Sequence, residues 1–196
     1  MIIWINGAFG AGKTTTAHEL HRRLPGSHIY DPENVGYFVR KNAPKGIDDG
    51  DFQNLPIWRS FNRDMLRMMA NQYAGTIIVP MTLVNPQYFD EIVGGLRAGG
   101  VEIKHFALAA SPETLLRRLR TRGDGSNSWP ARQIDRCVES LSHERFERHI
   151  RTDGLTVESI VELIAEEAGV KLLPDRRSTL RKRWDRLIVK LKHIRF

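Results

Sequence analysis

The run Gly7-Ala8-Phe9-Gly10-Ala11-Gly12-Lys13-Thr14, set between MIIWIN and TTAHELHRRL, leaves few folds open to the chain. It matches the pattern G-x-x-x-x-G-K-[ST]. In that pattern glycines turn the backbone tightly, so that successive N–H groups point inward and form a nest for anions. A strand must lead into such a loop and a helix must leave it, because the positive end of the helix completes the anion site. The spacing assigns Gly7 to Thr14, with Thr15 behind them, to the phosphates of ATP or a close relative. Lys13 is expected to reach the β- and γ-phosphates, and Thr14 to place its hydroxyl on Mg²⁺.

Beyond the loop, short apolar runs alternate with segments of helical periodicity. Ile2–Ile5, His28–Tyr30, Thr76–Val79, Ile103–Leu108 and His149–Thr152 read as strands. Lys13–Leu24, Gln53–Tyr73, Pro86–Leu96, Pro112–Arg122, Ala131–Arg148 and Val157–Ala168 read as helices. Ser111-Pro112-Glu113 supplies a cap, a first-turn proline and an acid near the positive helix end. Such alternation implies βαβ units and a five-stranded parallel sheet covered on both faces, a three-layer α/β fold. Asn42–Asp51 and Gly123–Pro130, rich in Gly, Pro and polar residues, read as loops at the edges of a cleft.

At 196 residues the chain suits one domain with a small appendage. A single cysteine, Cys137, excludes an internal disulfide framework and fits a reducing cytoplasm. No run approaches the ~20 apolar residues of a membrane-spanning helix. Met1–Ile5 is too short for a secretory leader and lacks a basic start, so a cytoplasmic location is expected. The seven histidines show no metal spacing, and His18 and His21 read as surface residues of the first helix.

Within the class of phosphate-binding loops, switch GTPases, motor ATPases and transporters end a later apolar strand in an aspartate that holds Mg²⁺. Here TIIVPMT ends in Pro80, Met81 and Thr82, without a carboxylate. The second strand ends in acids instead, in HIYDPEN, with Asp31 and Glu33. Asp31 stands where an acceptor hydroxyl would sit. It either takes that proton, helps to hold the metal, or caps a helix, since Asp-Pro is a common helix opening. Arg118, Arg122, Arg132 and Arg136 flank the 123–131 loop. Positions four apart share a helix face, so the pairs suit a lid that closes on triphosphate and stabilises transferring charge. A solvated face pairing with Glu113 and Asp124 is the competing reading.

The order of phosphate loop, strand-two acid and R-L-x-x-R before a short lid resembles that of small-molecule kinases. More closely, MIIWINGAFGAGKT, ELHRRL, YDPENVGY, IVPMT, ETLLRRLRTR, NSW and QIDRCVE resemble the bacterial tunicamycin-resistance proteins, over essentially the whole chain. That resemblance implies a P-loop kinase fold and an ATP-binding protein conferring resistance to tunicamycin, an N-acyl nucleoside antibiotic, by phosphorylating it. Catalytic roles then fall to Lys13, Asp31, Arg118, Arg122 and Arg132, with Mg²⁺ on Thr14 and Asp31. The alternative is an ATP-gated protein that sequesters the drug without chemistry.

The acceptor site is expected in an insert at about 32–74, with Glu33, Phe52, Trp58 and Arg59 as candidates. Thr82 and Asn85 follow the third strand, at the carboxyl edge where ligands bind open parallel sheets. Trp58, Phe61, Met65, Met68 and Met69 recur at helical spacing and read as core, while Arg59 and Arg63 read either as phosphate ligands or as solvated. The charge divides the chain. Residues 1–173 hold 21 basic and 21 acidic residues, whereas 174–196 hold nine and two, the whole net +7. In this tail Leu180, Trp184, Leu187, Ile188, Leu191 and Ile194 form one helical stripe, opposite Arg181, Lys182, Arg183, Arg186, Lys190 and Arg195. The pattern predicts a helix within 178–196 that lies on an anionic membrane, the inner face of the cell membrane, or else docks on its own domain. One tryptophan and no recognition motif argue against nucleic acid.

Overall fold

The computed structural model describes residues 1–192 apart from 45, 48, 49 and 126; in the last helix it describes no side chain beyond 189. Five parallel strands form one sheet in the order β2-β3-β1-β4-β5. They are β1 (Ile2–Gly7), β2 (Ser27–Ile29), β3 (Thr76–Pro80), β4 (Ile103–Ala109) and β5 (His149–Arg151). β1 is central, pairing Ile2–Ile5 with Ile77–Pro80 on one side and Ile2–Gly7 with Ile103–Leu108 on the other. All six of its residues are buried, which is why its sequence is a continuous apolar run rather than an alternation.

The helices are α1 (Lys13–Arg23), α2 (Glu33–Asn42), α3 (Pro56–Gln72), α4 (Pro86–Phe89), α5 (Gly95–Ala98), α6 (Pro112–Arg120), α7 (Trp129–Arg132), α8 (Ile134–Leu141), α9 (Val157–Ala168) and α10 (Thr179–Lys192). A π turn at Asp90–Gly94 joins α4 to α5. α1 packs on α9 and α10, α3 on α5 and the π turn, and α6 on α8. The result is the expected three-layer α/β architecture.

Three local expectations are corrected. The segment expected as one helix over Gln53–Tyr73 opens as a 3-10 turn at Phe52–Asn54, and α3 starts only at Pro56. Leu55 is extended (φ −78°, ψ 119°) because the proline ring crowds the helical conformation of the residue before it. The segment expected as one helix over Ala131–Arg148 divides into α7, α8 and a 3-10 turn at Glu144–Phe146. There the carbonyl of Glu147 meets His105 Nδ1 at 2.6 Å and the Arg148 N–H donates to His105 O, so pairing with β4 outweighs helical periodicity. α2 was not anticipated, since Gly36 weakens its helical signal. That glycine is required by packing: a Cβ there would lie 2.5 Å from the Phe52 ring.

The basic tail docks on the domain through its charged side. Glu19, buried on α1, receives Arg177 in a short ion pair and Arg186 at 3.4 Å. Arg177 also donates to Asp175 and Asp185, each at 2.8 Å. Lys182 reaches Asp175 at 3.2 Å, and Arg186 reaches Glu158 at 2.6 Å. Val189 is buried on the same side. Lys182 and Arg186, expected to face outward, are therefore turned inward, while Leu180 (78% exposed) and Trp184 (59% exposed) face solvent. The expected positions Lys190 and Leu191 have no described side chain, and Ile194 and Arg195 lie outside the described residues.

Removing Glu19 leaves three guanidinium groups, those of Arg22, Arg177 and Arg186, without their shared buried acceptor. Glu19→Ala is expected to lower unfolding free energy by about 1–3 kcal/mol, read by urea titration. Arg177 beside Asp175 holds that carboxyl far below its usual range. The sign follows: the stabilisation is fully present above about pH 4 and is lost as pH falls through the depressed folded value, so amide exchange in α10 should quicken below pH 4.

Candidate functional site

The phosphate loop leaves β1 at the centre of the sheet and is braced from each side. The Asn6 carboxamide oxygen accepts from the N–H groups of Gly7 (2.8 Å) and Leu83 (3.0 Å). The Thr82 hydroxyl donates to the Gly7 carbonyl at 2.9 Å. Gly10 has φ 85°, and a Cβ there would stand 2.9 Å from the Leu115 carbonyl, so a side chain would be strained and would push the loop off α6. Gly12, φ 98°, opens α1, whose first turn has neither a side-chain cap nor an acid. Its orphan N–H groups are thus left for an anion. Lys13 Nζ donates to the Ala8 carbonyl at 3.1 Å and lies 5.5 Å from the Phe9 ring centre. Burial lowers its pKa to about 8, against the opposing pull of Glu33 and, more weakly, Asp31.

A cleft of about 1060 Å³ opens over this loop. Of the expected residues, Phe9 to Thr15, Asp31, Glu33, Phe52, Thr82, Arg118 and Arg122 line it. A cationic nest without acids in its first turn fits a triphosphate. Thr14 and Asp31 share the cleft, as metal ligands in such a site must. Among the described residues no cluster of three His, Cys, Asp or Glu side chains could hold a metal unaided. Mg²⁺ would therefore depend on phosphate oxygens and water for its remaining ligands, its ordinary habit.

The arginines divide by position. Arg118 donates to the Thr152 hydroxyl (3.0 Å) and carbonyl (2.9 Å), with the Ala11 carbonyl at 3.5 Å, and so ties α6 to the phosphate loop and the end of β5. Arg122 lies 3.9 Å from Asp124, the pairing of the competing reading, yet both line the cleft. Arg132 is exposed outside the cleft lining and donates to the Asn127 carbonyl at 2.6 Å. Trp129, at the start of α7, meets Phe9 edge-on at 5.1 Å, a contact between α7 and the phosphate loop that sequence reasoning missed.

On the side of α2, Phe52 is the wall. Its ring lies 5.4 Å from Trp58 and 6.2 Å from Tyr37, with the Arg40 guanidinium over it at 5.0 Å. Asp31 Oδ1 accepts from the Glu33 N–H at 3.0 Å, so this acid opens α2 and lines the cleft at once. Tyr37, Arg40 and Gln53 also line the cleft and were missed, the first two because α2 itself was. Trp58 is core, its indole N–H on the Pro32 carbonyl at 3.1 Å. Arg59 is buried, paired with Glu91 at 2.5 Å and stacked 4.2 Å from the Tyr88 ring, so it is neither solvated nor in the cleft lining. Asn85 is a helix cap, accepting from the Gln87 and Tyr88 N–H groups of α4. Phe61 and Met68, expected in the core, are 49% and 43% exposed; α3 buries Trp58, Arg59, Asn62 and Leu66 instead.

Residues 2–143 match the family model described as AAA domain. Among solved structures, the tunicamycin resistance protein of Deinococcus radiodurans is 36% identical, covering 89% of this chain and 99% of its own, with a TM-score of 0.76. The chain belongs to the AAA domain family and to the tunicamycin resistance proteins. A sugar kinase from Janibacter sp. is similar at TM-score 0.62 and 20% identity, over 86% of this chain and 94% of its own. Shikimate kinase from Bacteroides thetaiotaomicron is similar at 0.55 and 22%, over 87% and 99%. These two likenesses are of fold. No curated protein matches the chain. The chain is thus a kinase-like nucleotide-binding protein.

Lys13 gives that conclusion a pH signature. In the free protein its ammonium is progressively neutral above pH 8, and bound triphosphate draws the proton back. Affinity for ATP should fall as pH rises through 8, with proton uptake visible as buffer-dependent heat in titration calorimetry. Lys13→Ala should keep its circular dichroism, lose about 10–100-fold in affinity and lose the proton uptake.

Proposed function

We propose that this protein transfers the γ-phosphoryl group of ATP to a hydroxyl of a small molecule, and that the acceptor is tunicamycin, an N-acyl nucleoside. The observation that carries the reading is the continuity of the cleft, which runs from Lys13 and Thr14 past Asp31 to Tyr37, Phe52 and Gln53. Phosphate donor and hydroxyl acceptor would meet beside Asp31. Asp31 takes the proton of the acceptor hydroxyl as the new P–O bond forms and the bond to the leaving diphosphate breaks. Lys13, Arg122 and Arg118 meet the charge on the transferring group. Arg132 acts from outside, by holding the lid at Asn127. Mg²⁺, held by Thr14 and Asp31, would supply further charge neutralisation.

The rival is binding without chemistry, favoured by the end of β3: Thr82 stands there in place of an acid and commits its hydroxyl to Gly7. Incubation with ATP, Mg²⁺ and tunicamycin, followed by mass spectrometry of the drug, separates the two. The expected result is a gain of one phosphate; unmodified drug bound tightly in the presence of ATP supports sequestration. Asp31→Asn should slow transfer by about 10²–10⁴-fold; ATP affinity then stays near the wild-type value where the proton role dominates and falls where the carboxylate holds Mg²⁺. Normal transfer by that variant would return Asp31 to a helix-capping role at Glu33.

For the region 178–196 we propose contact with an anionic membrane surface. Leu180, Trp184, Leu187 and Ile188 form an exposed apolar stripe on a helix whose other side is clamped to the domain, with Arg181 exposed beside it. No described helix is long and apolar enough to cross a membrane. Cosedimentation of the full chain with liposomes of rising anionic lipid content should show binding that Trp184→Ala/Leu187→Ala reduces. Absence of pelleting at any lipid charge and low salt overturns this contact.

A further inference from the structure

The nucleotide cleft does not close at the phosphate loop. Its lining continues beyond Arg118 over Leu155 and Glu158 to Lys182, Arg183 and Arg186 of α10, well outside the matched residues 2–143. We propose that α10 is the base-side wall of the nucleotide site and that the Arg183 guanidinium stacks on the nucleobase. The proposal rests on the reading of the cleft as a nucleotide site.

The phosphate loop fixes one end of the ligand, and the acceptor chamber occupies one direction from it. The other direction ends between the segment after β5 and α10, so a base extending away from the acceptor meets that helix. Positions 179, 182, 183 and 186 fall on one flank of α10 at 3.6 residues per turn, and all four line the cleft. That flank is held in place. Arg186 bridges Glu158 at the start of α9 and Glu19 on α1, and Lys182 bridges Glu158 and Asp175. Those two cations are neutralised by carboxylates and serve as struts. Arg183 is different: it is exposed in the cleft lining and makes no ion pair with a described residue.

An unpaired arginine on a fixed helix, with the apolar side chain of Leu155 at the same end of the cleft, suits a flat, π-rich group better than a phosphate. A guanidinium stacks on such a face with its charge still partly hydrated, whereas a lysine in its place keeps the charge and loses the plane. Because Arg183 takes no part in the clamp, its replacement leaves α10 docked.

The test is titration calorimetry of the full chain with Mg²⁺ and either ATP or inorganic tripolyphosphate. Arg183→Ala is expected to weaken ATP binding about 5–30-fold and leave tripolyphosphate binding unchanged, with Arg183→Lys recovering only part of the ATP affinity. Unchanged ATP affinity in Arg183→Ala overturns the proposal. So does an equal loss for both ligands, which would mean that Arg183 acts only through its charge. Wild-type protein that binds neither ligand would instead overturn the nucleotide reading beneath it.

Discussion

A loop that binds anions through its backbone must hold several N–H groups unpaired and fixed in one array. The loop's own residues supply no stiffness; glycines are chosen there for freedom, not rigidity. In this protein the neighbours supply it. Asn6 and Thr82 pin Gly7, Leu115 presents its carbonyl beneath Gly10, and Arg118 reaches over Ala11 from α6. Thr152 is the joint of the far side. It receives Arg118 on its hydroxyl and carbonyl while donating to Ala109. Movement of α6 or the end of β5 is therefore movement of the phosphate site, and the segment that follows α6 is coupled to it.

The two ends of the cleft are built from different chemistry. The end beside α2 is aromatic, with Phe52 packed among Tyr37, Trp58 and the Arg40 guanidinium; Asp51 lines it, as does the acid pair Asp31 and Glu33. Lys13 feels both acids, which keep its charge from being lost to burial altogether. The aromatic wall is in turn stiffened by Arg59, whose pairing with Glu91 and contact with Gln53 tie α3 to the segment that presents Phe52.

The C-terminal helix reverses the usual order of burial. Charged groups are costly to bury singly, but here each has more than one partner, and the carboxylates of Glu19, Asp175, Asp185 and Glu158 alternate with Arg177, Lys182 and Arg186. The consequence is an apolar stripe facing outward on a chain that is otherwise balanced in charge. Such a stripe marks a contact surface more often than an accident of composition.

What could be read from the order of residues was whatever acts through neighbours in the chain. The phosphate loop needs eight consecutive residues between a strand and a helix, so its glycines, Lys13 and Thr14 were legible, as were the five strands as short apolar runs. The acids after β2 were legible for the same reason. Residues whose roles depend on distant partners were not. Asn85 and Arg59 carry the chemistry of a ligand site, yet one caps α4 and the other meets Glu91 across 32 positions. Gly36 concealed α2 because the reason for it is the Phe52 ring. The stripe on α10 foretold an amphipathic helix, but not which face would turn inward. That was decided by Glu19, 158 residues from Arg177, since a buried carboxylate must find its cations wherever the fold brings them.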